Sequence, residues 1–124
     1  MFVIEVPEAS HSNNELMRQF AHPQAKRRER DRVYFVVRQA LLPSMLGAAI
    51  DECEITVTRY GRNLLDFDNM GGGLKFWFDA LVNFKVLTDD KPRVITRLTL
   101  QQQIDRKNPR TVFLINPLEE KNER

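Results

Sequence analysis

Apolar residues downstream of Gln24 fall at helical spacing, with Val33, Val36, Val37, Ala40 and Leu41 at i, i+3, i+4, i+7 and i+8. This spacing predicts a long helix from Gln24, closed by Pro43 and Gly47. Lys26, Glu29 and Arg30 stand where the stripe would continue backwards, so the first two turns are expected to project into solvent. A second stripe, Leu74, Trp77, Phe78 and Leu81, predicts a helix from Gly72 to Phe84 with one buried face. Between the two stripes the chain alternates. Cys53, Ile55 and Val57 face one way and Glu54, Thr56 and Thr58 the other, the pattern of a half-buried strand from Cys53 to Tyr60.

Shorter segments complete the plan. Phe2 to Val6 reads as a strand ended by Pro7. Ser12-x-x-Glu15 has the spacing of a capping box ahead of Leu16, Met17 and Phe20, and His22-Pro23 keeps that helix brief. Val94 to Leu100 and Thr111 to Asn116 read as strands joined by a polar turn from Asp105 to Arg110, and the pair is expected to form a hairpin. Residues from Leu118 to Arg124 are charged and expected to fray. The order β-α-β-α-β-β, with the brief helix preceding the long one, predicts a single small α+β domain over residues 1–124. Its helices pack on a mixed or antiparallel sheet.

Composition narrows the class. The chain has 124 residues, 42% hydrophobic and 29% charged, which suits one globular core. The single Cys53 excludes an intramolecular disulfide and fits a reducing cytoplasm; its expected role is that of a small apolar residue at a strand start. No apolar run approaches a membrane span and none resembles a signal region, so a soluble, cytoplasmic protein without a membrane partner is expected. The net charge of +2 is less informative than its distribution. Lys26, Arg27, Arg28, Arg30, Arg32 and Arg38 crowd one segment, and Arg59 and Arg62 precede an acidic one. For any single arginine of the first run, a solvated helix face with Glu29 and Asp31 interleaved is a better account than a phosphate contact. His11 and His22 lack the paired spacing of a zinc site and are expected in loops.

The acidic segment gathers five carboxylates (Asp66, Asp68, Asp79, Asp89 and Asp90) and Lys75 into 25 positions. Such groups repel unless a cation sits among them. If the backbone stays extended at Asp66-Phe67-Asp68, both carboxylates point to one side. Taken singly, Asp68-Asn69 and Asp89-Asp90 have ordinary turn and cap compositions. Lys75 and Asp79 at i and i+4 have the spacing of a surface ion pair. The combination points beyond loop chemistry.

Asp66-x-Asp68-Asn69, Lys75-x-x-x-Asp79-Ala80-Leu81 and Asp89-Asp90 followed by Val94 together resemble the signature of the RusA family of Holliday junction resolvases, found in bacteria and their phages. Asn14-x-Leu16-Met17-Arg18 ahead of a basic helix is a weaker echo of phage members. The resemblance implies a Mg²⁺-dependent, structure-selective endodeoxyribonuclease in the bacterial cytoplasm that makes paired symmetric cuts in four-way DNA junctions as a homodimer, in recombination and repair. It implies Asp66, Asp68 and Asp90 as metal ligands, with Asp89 in reserve, and a metal-bound water as the attacking group. Lys75 would stabilise transition-state charge or protonate the leaving oxygen. Asn69 and Asp79 would support these residues, Asp79 by pairing with Lys75. Lys26, Arg27, Arg28, Arg30, Arg32 and Arg62 would contact DNA. Alternatives within reach are a nuclease for other branched DNA and a junction-binding module that no longer cuts. One departure stands out: Met70-Gly71-Gly72-Gly73-Leu74 separates Asn69 from Lys75, three residues more than the family pattern. The glycines read as an insertion that either bulges outward or displaces Lys75. Trp77, Phe76 and Phe78 are expected in the core or a dimer contact.

Overall fold

Alternation and helical stripes resolve into four strands and four helices in the computed structural model, which describes residues 1–41 and 48–118. In chain order these are β1 (Phe2–Val6), α1 (Asn13–Gln19), α2 (Pro23–Leu41), β2 (Cys53–Gly61), α3 (Phe67–Gly72), α4 (Lys75–Asn83), β3 (Ile95–Ile104) and β4 (Arg110–Pro117). The α+β class, the single small domain and the mixed sheet agree with the sequence expectation. Pro43, Gly47 and the tail beyond Leu118 lie outside the described residues.

Local chemistry explains the boundaries. Ser12 Oγ accepts from Glu15 N at 3.0 Å and Glu15 Oε1 accepts from Ser12 N at 2.9 Å, the reciprocal capping box read from the sequence. Pro23 opens α2, where a missing N–H is harmless. The helix expected from Gly72 to Phe84 is instead α4 alone, starting at Lys75, because the glycine run closes a separate short helix, α3. Lys85 takes a positive φ of 63° and ends the α4 turn.

The sheet order is β1-β4-β2-β3. β4 runs antiparallel to both β1 and β2, and β3 runs parallel to β2, with Val57 opposite both Phe113 and Leu100. The expected β3–β4 hairpin is therefore wrong. The two strands flank β2 from opposite sides, since β2 offers two unpaired edges and an apolar face for both to share. Buried Ile4, Val6, Ile55, Val57, Phe113 and Ile115 form the sheet side of the core. Val33, Val37, Leu41, Trp77 and Leu81 of α2 and α4 close over it. Trp77 stacks on Phe113 with centroids 6.0 Å apart, and Phe78 meets the same ring edge-on at 5.9 Å. Trp77 and Phe76 thus join the core as expected. Cys53 is fully buried, and burial pushes its thiol up to about 11, so it stays an unreactive thiol.

Candidate functional site

The acidic signature begins where β2 ends. Leu65 is clamped to β3, its N–H donating to Gln102 Oε1 at 2.8 Å and its carbonyl accepting from Gln102 Nε2 at 2.6 Å. Asp66 then caps α3, its Oδ1 accepting from Asn69 N at 2.9 Å. Asp68 lies in the first turn of α3, where a carboxylate also suits the positive end of the helix. The backbone therefore does not stay extended through Asp66-Phe67-Asp68 but forms a cap and a helical turn, so strand alternation does not align the two carboxylates. Both are exposed. Asn69 acts as a strut: its Oδ1 accepts from Asn14 N at 3.3 Å, tying α3 to α1.

The glycine run neither bulges outward nor strains. None of Gly71, Gly72 and Gly73 has positive φ. A Cβ on Gly73 would lie 1.7 Å from the His11 carbonyl oxygen, and one on Gly72 would lie 2.6 Å from Asn13 Cγ. Only glycine lets the end of α3 press against the His11–Asn13 segment. Leu74 then turns the chain into α4, and Lys75 emerges at its first turn, exposed and 3.7 Å from Asp79. Asp79 pairs with Lys75 as the spacing suggested. It also faces Tyr34 of α2, whose hydroxyl is held above its ordinary range by burial and then by the Asp79 charge.

Asp89 and Asp90 lie elsewhere. Thr88 N donates to the Ile50 carbonyl at 3.0 Å, and Cys53 N donates to the Val94 carbonyl at 2.7 Å. The pair is therefore anchored beside the first residue of β2. Asp66 is anchored beside Gln102, which stands opposite Arg59 near the far end of that strand. The Cys53-to-Arg59 run spans about 20 Å at the usual strand rise. Parallel pairing of β2 and β3 forces this: α3 and α4 carry the chain back, and β3 restarts at the opposite end. Asp89 Oδ1 accepts from Asp90 N at 2.7 Å, and this bond together with Lys91 holds its carboxyl below the usual range. Among the described residues no group of three or more His, Cys, Asp or Glu side chains is placed to share a metal ion. Asp66, Asp68 and Asp90 of one chain do not fit Mg²⁺.

The basic residues divide. Lys26, Arg27 and Arg28 are exposed and make no ion pair among the described residues. Lys26, Arg27 and Arg30 line a cleft of about 290 Å³ with Pro23 and Phe76, the neighbour of Lys75. Arg30 Nε is buried there without a hydrogen-bond partner. This brings the start of α2 and the start of α4 to one basic surface. Arg32 does not belong to it. Its Nη1 and Nη2 donate to Glu8 at 2.7 and 2.9 Å, its Nε and Nη2 to Glu29 at 2.9 and 2.8 Å, and these bonds raise its pKa. Arg62 is exposed beside a second cleft of about 450 Å³ that also contains His11, Arg59 and Asn63.

Two features escaped the sequence. Glu29, expected on a solvated face, is buried at 5% exposure and also meets His11 Nε2 at 3.2 Å. Arg59, at an inward position of β2, is buried. It donates from Nε to the Ser10 carbonyl and from Nη1 to the Asn63 carbonyl, each at 2.9 Å, and burial lowers its pKa. The parity of Arg59 with Ile55 and Val57 carried that signal. Comparison with protein-family models and with curated proteins finds no match for this chain.

Proposed function

We propose that this chain acts on branched DNA as a structure-selective endodeoxyribonuclease that resolves Holliday junctions. The observation that supports the reading best is the basic cleft at the start of α2, which adjoins Lys75 at the start of α4. Lys26, Arg27 and Arg30 hold the phosphate backbone there by charge, without reading bases. Lys75, exposed at the surface and restrained by Asp79, neutralises a phosphate brought into that cleft. Arg28 and Arg62 extend the contact along the duplex arms. Four-way junctions and other branched substrates such as flaps share this backbone chemistry.

A non-cutting junction-binding module is the second reading, and the separation of Asp66 and Asp68 from Asp89 and Asp90 favours it. The two are resolved with a labelled synthetic four-way junction incubated with and without Mg²⁺, beside the Asp68→Asn variant. Paired symmetric cuts that require both the metal and Asp68 establish the nuclease. Tight, salt-sensitive binding without cutting under any divalent metal leaves the binding module. Absence of junction binding at low salt removes both.

A further inference from the structure

We infer that the cleft between the N-terminal segment and the end of β2 binds a phosphate monoester, held by Arg59 and Arg62. Arg59 carries the argument. It stands at an inward position of β2 and is 7% exposed, yet among the described residues no carboxylate lies within ion-pairing distance of it. A cation removed from water is costly unless an anion replaces the lost solvation, so enclosed charges are ordinarily paired. Other arginines of this chain follow that rule: Arg32 holds Glu8 and Glu29, and Arg110 holds Asp105 at 3.0 Å. Arg59 instead donates from Nε and Nη1 to the carbonyls of Ser10 and Asn63, which are neutral, and its Nη2 has no acceptor among the described residues. Glu15 lines the same cleft but acts on Arg59 only through space. Its Oε1 accepts from Ser12 N, and its Oε2 lies 3.5 Å from His11 Nδ1.

The site is built in advance. Both carbonyl bonds of Arg59 are 2.9 Å, and a Cβ on Gly61 would lie 2.5 Å from Nη1 and 2.9 Å from Cζ, so glycine at 61 leaves the pinned guanidinium its room. A donor fork fixed in this way loses little freedom when it takes up an oxyanion. Arg62 lines the cleft from its exposed rim, and is the one residue shared with the backbone contact proposed above. Ser10, 1% exposed, lines it too, and its Oγ is buried without a hydrogen-bond partner. The cleft measures about 450 Å³, within the range of sites that enclose a small ligand. Two features select a monoester over the phosphodiester backbone. So enclosed a guanidinium is met by a terminal phosphate that enters the cleft, whereas a backbone phosphate is held back by sugars on both sides. Two arginine forks also suit the three free oxygens of a terminal phosphate, where a diester offers two. A free nucleotide and the 5′ end of a nucleic-acid strand both carry this group. The site holds whether or not the chain cuts DNA.

Thermal unfolding of the full chain tests the site, with inorganic phosphate, adenosine 5′-monophosphate or adenosine added at an ionic strength held constant with chloride. Phosphate and the nucleotide are expected to raise Tm, by about 5 °C at roughly ten times Kd, and adenosine is not. Arg62→Ala, at an exposed position, is expected to weaken nucleotide binding about tenfold in calorimetric titration while leaving the ligand-free Tm unchanged. Ala9→Asp adds a carboxylate to the lining and is expected to abolish the phosphate response, with circular dichroism to check that the fold is kept. A short single strand bearing a 5′-phosphate is then compared with the same strand bearing a 5′-hydroxyl. A gain from the 5′-phosphate that Arg62→Ala removes supports the site and makes a strand end one source of the group. No such gain, with the nucleotide still bound, supports the site with a free nucleotide as the source. Phosphate and nucleotide that raise Tm no more than chloride and adenosine do, or a phosphate response kept in full by both variants, overturns the proposal.

Discussion

Glu29→Ala probes the least expected feature of the fold. Glu29 is buried between α2 and the N-terminal segment, accepting from Arg32 at 2.9 and 2.8 Å and lying 3.2 Å from His11 Nε2. A hydrogen bond to a charged group contributes about 1.5–3 kcal/mol. Two circumstances reduce the loss: the carboxylate no longer has to be desolvated, and Arg32, whose side chain is 42% exposed, keeps Glu8 and water. The net loss is expected to be about 2 kcal/mol, which lowers Tm by roughly 6–10 °C for a domain of this size. In urea the midpoint should fall by about 1–1.5 M with an unchanged slope. Arg32→Ala should be worse, at about 3 kcal/mol, because it strands a buried carboxylate. The double variant should be milder than the sum of the two. A Glu29→Ala midpoint within about 0.5 kcal/mol of wild type would refute the reasoning, since that is how a solvated helix face behaves.

Four further outcomes are expected. Gly73→Ala forces a Cβ against the His11 carbonyl and should destabilise by about 1–3 kcal/mol. Gly71→Ala meets nothing closer than 3.7 Å and should be neutral or stabilise by up to about 1 kcal/mol, both measured by thermal unfolding. Lys26→Ala combined with Arg27→Ala should weaken junction binding and reduce the salt dependence of log K by about 2, read by titration at several salt concentrations. The backbone bond from the capping box holds the Glu15 carboxyl below its ordinary value of 4.5. Its contribution is therefore full above that value and lost as pH falls through the lower folded pKa. Glu15→Gln should flatten the acid limb of stability against pH in urea titrations.

How the site was legible follows residue by residue. The capping box at Ser12 and Glu15 and the pairing of Asp79 with Lys75 were readable, because each is an interaction over three or four positions. The exposed start of α2 was readable from the same periodicity at Lys26, Arg27 and Arg28, but the burial of Glu29 was not, since its partners Arg32 and His11 combine one helical neighbour with a residue from a distant segment. At the end of α3 the sequence showed an insertion of glycines but not what they pack against. Gly72 and Gly73 are explained by the His11–Asn13 segment, some sixty positions away. Asp66, which would align with Asp68 in an extended run, is a helix cap that accepts from Asn69 N, and the Asn69 side chain ties α3 to Asn14, a contact no local spacing signals.

By itself the sequence determined the strands, the helices other than α3, and the α+β class, because period and composition act over a few residues and are indifferent to where the chain goes next. Only the tertiary structure decided that β3 and β4 flank β2 instead of pairing with each other, and that decision rests on competition among strand edges far apart in the chain. With β3 parallel to β2, the two halves of the acidic signature, adjacent in sequence, were sent to opposite ends of one strand pair. A motif records spacing along the chain; the direction in which each strand runs determines which residues meet.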